Sequence, residues 1–172
     1  FEEGDIRDYE RLKDVLQRHR IEAVVHFAGL KAVGESVEKP LEYFDNNISG
    51  TITLLRVMKD LNIKRIIFSS SATVYGTPQY LPLDENHPLS VTNPYGRTKL
   101  QVEEILSDLC ASDSEWSAVC LRYFNPIGAH ESGLIGENPR GIPNNLLPYV
   151  ARVAAGQLKA CLLYTSDAAD DK

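Results

Sequence analysis

Methionine and tryptophan occur once each in 172 residues, cysteine only three times, and no apolar run approaches bilayer length. A helix that crosses a membrane needs about 20 consecutive apolar residues, so none is expected here. Cys110, Cys120 and Cys161 are odd in number and widely spaced. That pattern fits reduced thiols in a cytosolic protein and argues against a disulfide framework or a zinc site. His19, His26, His87 and His130 show no ligand spacing, and no metal is expected. Positive charge is the minority sign: 18 Lys and Arg against 24 Asp and Glu leave a net charge of −6. Such a field repels a nucleic acid or an anionic membrane, while a small anionic ligand can still bind through local donors. The opening Phe-Glu-Glu-Gly-Asp lacks an initiator methionine and the basic and apolar regions of a signal peptide, so the true N-terminus is expected to lie upstream.

What is present, 43% apolar and 24% charged residues, fits one globular domain with a real core. The segments alternate helix and strand, which predicts a parallel sheet with crossover helices. Helical spacing of Leu12, Val15 and Leu16 marks a helix over 8–20. Ala23 to Phe27 is an apolar run entering the turn Ala28-Gly29, and reads as a buried strand. Pro40 opens a helix whose buried stripe is expected at Leu41, Phe44, Ile48, Leu55 and Met58. A second strand covers 64–70, a helix capped by Asn93 runs from Pro94 to about Asp108, and a third strand covers 118–122. A long glycine-rich loop follows, then a helix from about Asn145 to Ala155. Residues 159–172 carry no pattern suited to packing and read as a frayed tail.

Ser71, Tyr95 and Lys99 carry the chemistry. Ser71 falls at the carboxyl end of the second strand, where ligands sit in open α/β sheets. Tyr95 and Lys99 are four apart on the following helix and share a face. A free phenol has a pKa near ~10, and an adjacent cation favours the phenolate, which makes tyrosine a usable base. Spacing alone is weak, because about 0.4 chance matches to Tyr-x-x-x-Lys are expected in this composition. Tyr9 and Lys13 are such a match and read as an ordinary solvated pair. His26, near a strand end, reads as a satisfied structural histidine.

Five blocks then carry a resemblance: His26 to Ser36, Ser69 to Gly76, Asn93 to Lys99, Leu121 to Pro126 and Gly141 to Leu146. Over residues 1–158 they resemble the UDP-glucose 4-epimerase family, extended short-chain dehydrogenases/reductases with a bound NAD. The resemblance implies interconversion of UDP-glucose and UDP-galactose through a 4-keto sugar, in galactose metabolism. It implies Tyr95 as base for the 4-hydroxyl, Ser71 as hydrogen-bond partner of the reacting oxygen, and Lys99 on the nicotinamide ribose, lowering the Tyr95 pKa. Asp5 and Ile6 would lie beside the adenine, Phe27, Ala28, Gly29 and Lys31 along the cofactor, and Asn46 and Tyr123 near it. Substrate contacts implied likewise are Ser71, Ala72, Thr73, Tyr123, Phe124, Asn125, Asn144, Asn145 and Leu146. Read without the resemblance, Asn144-Asn145 is first a helix cap and Gly29 can be a simple turn glycine.

The family also opens with a βαβ unit whose glycine-rich turn binds the pyrophosphate, and no such turn occurs in this chain. The expectation is a Rossmann-like, doubly wound parallel sheet cut short at both ends: a partial NAD-binding domain with the start of the substrate region over 1–158, then a tail outside the family pattern. Apolar surface and strand edges should be exposed. A full-length homodimer and a cytoplasmic location are implied by the family. Other nucleotide-sugar enzymes are the near alternatives. A 4,6-dehydratase needs an added acid and base where Ala72 and Thr73 stand, while epimerases of other UDP-sugars, N-acetylated ones included, stay open. A non-catalytic fragment is the alternative of a different class.

Overall fold

The computed structural model describes residues 1–136 and 145–159. Asp8 caps helix α1 (Tyr9–Arg18), accepting from the Arg11 N–H at 3.0 Å, and Leu12 and Leu16 turn inward toward the core. Strand β1 (Val24–His26) follows, then the short helices α2 (Val33–Glu38) and α3 (Pro40–Phe44). A π-type turn over Asp45–Ser49 leads into α4 (Gly50–Asp60), and β2 (Arg65–Ser71) ends in a 3-10 turn, Ala72–Tyr75. Helix α5 (Pro94–Ser112) runs four residues beyond the expected end and leads into β3 (Ser117–Tyr123).

The three strands are parallel in the order β1-β2-β3, with Val24 opposite Ile66 and Ile66 opposite Ala118. This is the expected Rossmann-like arrangement. Alternate residues of a strand face opposite sides, so Ile66 and Phe68 point to one face, where they meet Leu54, Leu55 and Met58 of α4 and Val102 and Leu106 of α5. Ile63 and Trp116 close that core. Each such side chain contributes about 1.5–3 kcal/mol by leaving water. On the opposite face Val25, Ile67, Val119 and Leu121 are exposed, as the expectation of uncovered apolar surface required.

One expected stripe is corrected. Leu41 is 78% exposed, and Tyr43 is fully buried in its place. The cause is the turn at Asp45–Ser49, where the Gly50 N–H donates to the Asp45 carbonyl five residues back instead of four. One extra residue rotates α3 by about 100° against α4, so a stripe projected back from Met58 at the ordinary period lands on the wrong residue.

The described residues divide after Tyr123 into two compact units. In the second, helix α6 (Leu146–Ala154) is closed by backbone bonds from Ala155, and Gly156 turns with φ +71°. Asn145 precedes α6 but makes no side-chain capping bond, so its reading as a cap is not realised. Asn144 and nearly all of the expected tail lie outside the described residues.

Candidate active site

Ser71 is delivered by the last ladder position of β2, opposite Tyr123 of β3. Its hydroxyl accepts from the Thr73 N–H at 3.3 Å, which starts the 72–75 turn. Tyr95 sits in the first turn of α5. Asn93 caps that turn by accepting from the Gly96 N–H at 2.8 Å, and Ser36 of α2 accepts the Tyr95 N–H at 3.2 Å. Lys99 follows one turn later with its Nζ 5.7 Å from the Tyr95 ring centroid and 4.8 Å from that of Phe68. The structure therefore brings Ser71, Tyr95 and Lys99 together at the carboxyl rim of the sheet.

Their protonation differs from the simple expectation. Burial pushes the Tyr95 phenol above its ordinary pKa, and a side-chain hydrogen bond with Ser71 works against that rise. The rise persists beside Lys99. Its ammonium donates instead to the Ser69 carbonyl at 2.7 Å, and burial pulls its own pKa down to about 8. Desolvation penalises both charged forms, so the pair is held near the neutral phenol and a readily deprotonated amine.

The residues assigned to the cofactor fall on several elements of the first unit. Asp5 is held by three bonds from Arg7, from N at 2.8 Å, Nε at 3.0 Å and Nη2 at 2.7 Å, which lower its carboxyl to about 2. Ile6 packs against the core, and a side chain at Gly50 would meet its Cγ2 at 2.6 Å. Phe27 and Tyr123, both exposed, lie with ring centroids 6.5 Å apart and planes 30° from parallel. Ala28, Gly29 and Lys31 belong to the exposed loop after β1. A Cβ at Gly29 would come 3.3 Å from the Asn47 amide oxygen, so glycine serves a close approach here.

Asn46 donates to the Asn47 oxygen at 3.0 Å, and Asn47 is a structural residue behind the site that the sequence did not single out. Buried in the π-type turn, its amide accepts from the Leu30 N–H at 2.8 Å and donates to the Leu30 carbonyl at 3.0 Å and to the Thr98 hydroxyl at 3.1 Å. Thr98 in turn donates to the Tyr95 carbonyl at 2.7 Å. One amide thus ties the loop after β1 to the helix bearing Tyr95. The available signal was an Asn-Asn pair inside a helical stretch, a residue type that competes with the helix backbone.

Of the residues assigned to substrate, Ser71, Ala72, Thr73 and Tyr123 belong to the first unit. The Thr73 hydroxyl is buried without a hydrogen-bond partner. Gly96 lets the 72–75 turn approach α5, since a Cβ there would lie 3.1 Å from the Thr73 carbonyl oxygen. Phe124, Asn125, Asn145 and Leu146 belong to the second unit. His26 is buried, bonds Thr51 Oγ1 through Nε2 at 2.9 Å and has a pKa pulled down to about 4 by desolvation and then by Lys99, which fits its structural reading. Tyr9 and Lys13 form the ordinary pair, with Nζ 3.4 Å from the phenol oxygen and Asp60 accepting from the Tyr9 hydroxyl.

Comparison with known proteins agrees with this geometry. Residues 1–169 match the model of the NAD dependent epimerase/dehydratase family. The mouse UDP-glucose 4-epimerase is 58% identical over 99% of this chain and 50% of its own length, and that of Bacillus subtilis is 56% identical over 97% and 49%. A solved UDP-glucose 4-epimerase from Bifidobacterium longum, in complex with NAD+ and UDP, is 60% identical with a TM-score of 0.86, covering 91% of this chain and 47% of that one. The chain spans about half the length of the curated relatives it matches. On fold, rim geometry and sequence together, the chain belongs to the NAD dependent epimerase/dehydratase family.

Proposed function

We propose that this chain carries the proton-transfer machinery of a UDP-glucose 4-epimerase acting on UDP-glucose and UDP-galactose. The observation that carries the reading is the convergence of Ser71, Tyr95 and Lys99 on the rim of the sheet, beside two exposed aromatic rings. The residues present fit a nicotinamide dinucleotide. Phe27 and Tyr123 present exposed aromatic surface, Gly29 lets Asn47 approach the loop after β1, and Lys99 holds donors at the rim. When bound, NAD supplies the acceptor and donor of the C4 hydride.

Tyr95 takes the proton of the 4-hydroxyl as the phenolate, a form that the positive nicotinamide ring of bound NAD would favour, and returns it after the 4-keto sugar has turned over, so no second general acid is needed. Ser71 hydrogen-bonds the reacting oxygen, and Lys99 reaches the nicotinamide ribose. Asp5 and Ile6 flank the adenine, with Ala28, Lys31 and Asn46 along the cofactor. Ala72 and Thr73 meet the sugar. The family resemblance assigns Phe124, Asn125, Asn144, Asn145 and Leu146 to the substrate as well. Neither Ala72 nor Thr73 can act as the extra acid and base of a dehydratase. The family resemblance extends the proposal to a cytoplasmic enzyme of galactose metabolism, a homodimer at full length. Among the described residues no helix is long and apolar enough to cross a membrane.

A second reading rests on length: because the chain spans half of its relatives, it can be a non-catalytic portion that turns over only with the remainder. The test follows UDP-glucose formation from UDP-galactose and NAD. Tyr95→Phe should lower turnover on the order of 10²- to 10⁴-fold with modest loss of UDP-sugar binding, and unchanged turnover would remove Tyr95 as the base. Turnover that appears only when the remaining length of the relatives is supplied would favour the second reading.

A further inference from the structure

Glu103 lies one turn beyond Lys99 and two beyond Tyr95 on α5, so the three side chains share a helix face. Its side chain is 9% exposed and makes bonds in two directions. The Ser70 hydroxyl of β2 donates to Oε1. Arg122 of β3 donates through Nε at 3.1 and 3.2 Å and through Nη2 at 2.7 Å, an arrangement with the fixed fork of a bidentate pair. Arg122 also donates from Nη1 to the Tyr75 hydroxyl at 3.2 Å, with its guanidinium carbon 5.0 Å from the centre of that ring. The Glu103 carboxylate therefore joins the helix of Tyr95 to the strand of Ser71 and the strand of Tyr123, and its partner Arg122 adds the turn after the strand of Ser71.

The attachment to β2 is doubled. Lys99 grips the Ser69 carbonyl and Glu103 the Ser70 hydroxyl, so residues one turn apart on α5 hold successive residues of the strand. A slide of helix against strand would break both. Ser70 and Ser71 point to opposite sides of the strand, and the anchor leaves the Ser71 hydroxyl available at the rim. A buried ion pair is a poor source of net stability, because desolvation consumes most of its attraction, and its best attested use is to set register.

We propose that Glu103 and Arg122 are positioning residues that, acting through Ser70, hold the Ser71 hydroxyl in register with the Tyr95 phenol. The inference rests on Tyr95 as the base, yet its test does not require turnover. Tyrosinate absorbance of the purified chain is followed with pH, and the Tyr95 contribution is obtained by subtracting the titration of Tyr95→Phe. Circular dichroism at each pH confines the reading to folded chain.

Ser70→Ala changes no charge. It should lower the Tyr95 tyrosinate fraction at a fixed alkaline pH by about two- to tenfold, the worth of one displaced hydrogen bond to the phenolate. Glu103→Gln separates positioning from plain electrostatics by sign. Removing a nearby anion raises the tyrosinate fraction, whereas losing the Ser71 register lowers it. A lowered fraction in both variants supports the proposal. An unchanged or raised fraction in folded Ser70→Ala overturns it, even if that variant melts earlier, and this variant decides the matter should Glu103→Gln not fold. Failure of Tyr95→Phe to reduce turnover would remove the base and leave the titration result standing separately.

Discussion

Asn47 is buried and serves two half-buried backbone groups, the Leu30 N–H and carbonyl, together with the Thr98 hydroxyl, which keeps a second bond to the Tyr95 carbonyl. An unmade bond in such a place costs about 1–3 kcal/mol per group, far more than a made one adds. Asn47→Ala should therefore destabilise the chain by about 1–3 kcal/mol, because Thr98 keeps its Tyr95 partner and Leu30 lies near the surface, where water replaces part of the loss. Urea unfolding with an unchanged m-value would measure it. At this scale the chemistry-bearing residues were legible because their identity and spacing are local: Ser71 ends a strand and Tyr95 and Lys99 share a helix face. Asn47 was not, because a buried amide's worth depends on partners 17 and 51 positions away in sequence. The direction of the Tyr95 pKa was also misjudged from sequence. Four-residue spacing says that an ammonium is near, while the Ser69 carbonyl decides where it points.

Helix α5 was read correctly at its start because a cap and a proline are local signals: Asn93 accepts from Gly96 and Pro94 occupies the first turn. Gly96 itself draws its importance from another element. Its position 3.1 Å from the Thr73 carbonyl, counted from an added Cβ, sets two effects against each other. Alanine favours the helix by up to about 1 kcal/mol, but overpacking against a backbone oxygen costs about 1–3 kcal/mol, and the first turn captures little of the helix gain. Gly96→Ala should lose about 1 kcal/mol net, read as a melting temperature lower by roughly 2–4 °C. The π-type turn at Asp45–Ser49 was illegible because apolar spacing reports an average period and cannot locate one added residue.

For the whole molecule, acidification is the informative perturbation. His26 has an ordinary value of 6.5 and a folded value of about 4, because burial disfavours the imidazolium and Lys99 repels it. Between those values the unfolded chain binds the proton and the folded chain does not, so stability rises with pH from about 4 to 6.5 and falls on acidification through that window. The full effect is about 3 kcal/mol. His26→Gln should flatten this limb of a stability-against-pH curve measured by chemical denaturation; an unaltered limb would mean that other groups set it. Lys99 has the same sign at higher pH, lowered from 10.5 to about 8, while the raised Tyr95 phenol opposes it above its ordinary value.

By itself the sequence determined the alternation of helices and strands, the parallel sheet, the cap of α5, and the placement of Ser71 at a strand end with Tyr95 and Lys99 one turn apart on a helix. Each depends on contacts within a turn or a strand, where periodicity and residue type suffice. Only the tertiary structure decided which way Lys99 points, which face of the sheet is covered, where the Asp45–Ser49 turn rotates α3, and that Asn47 and Glu103 bind separate elements into one rim. Those outcomes depend on groups far apart in the chain competing for the same hydrogen bonds and the same buried space, and no local pattern records who wins.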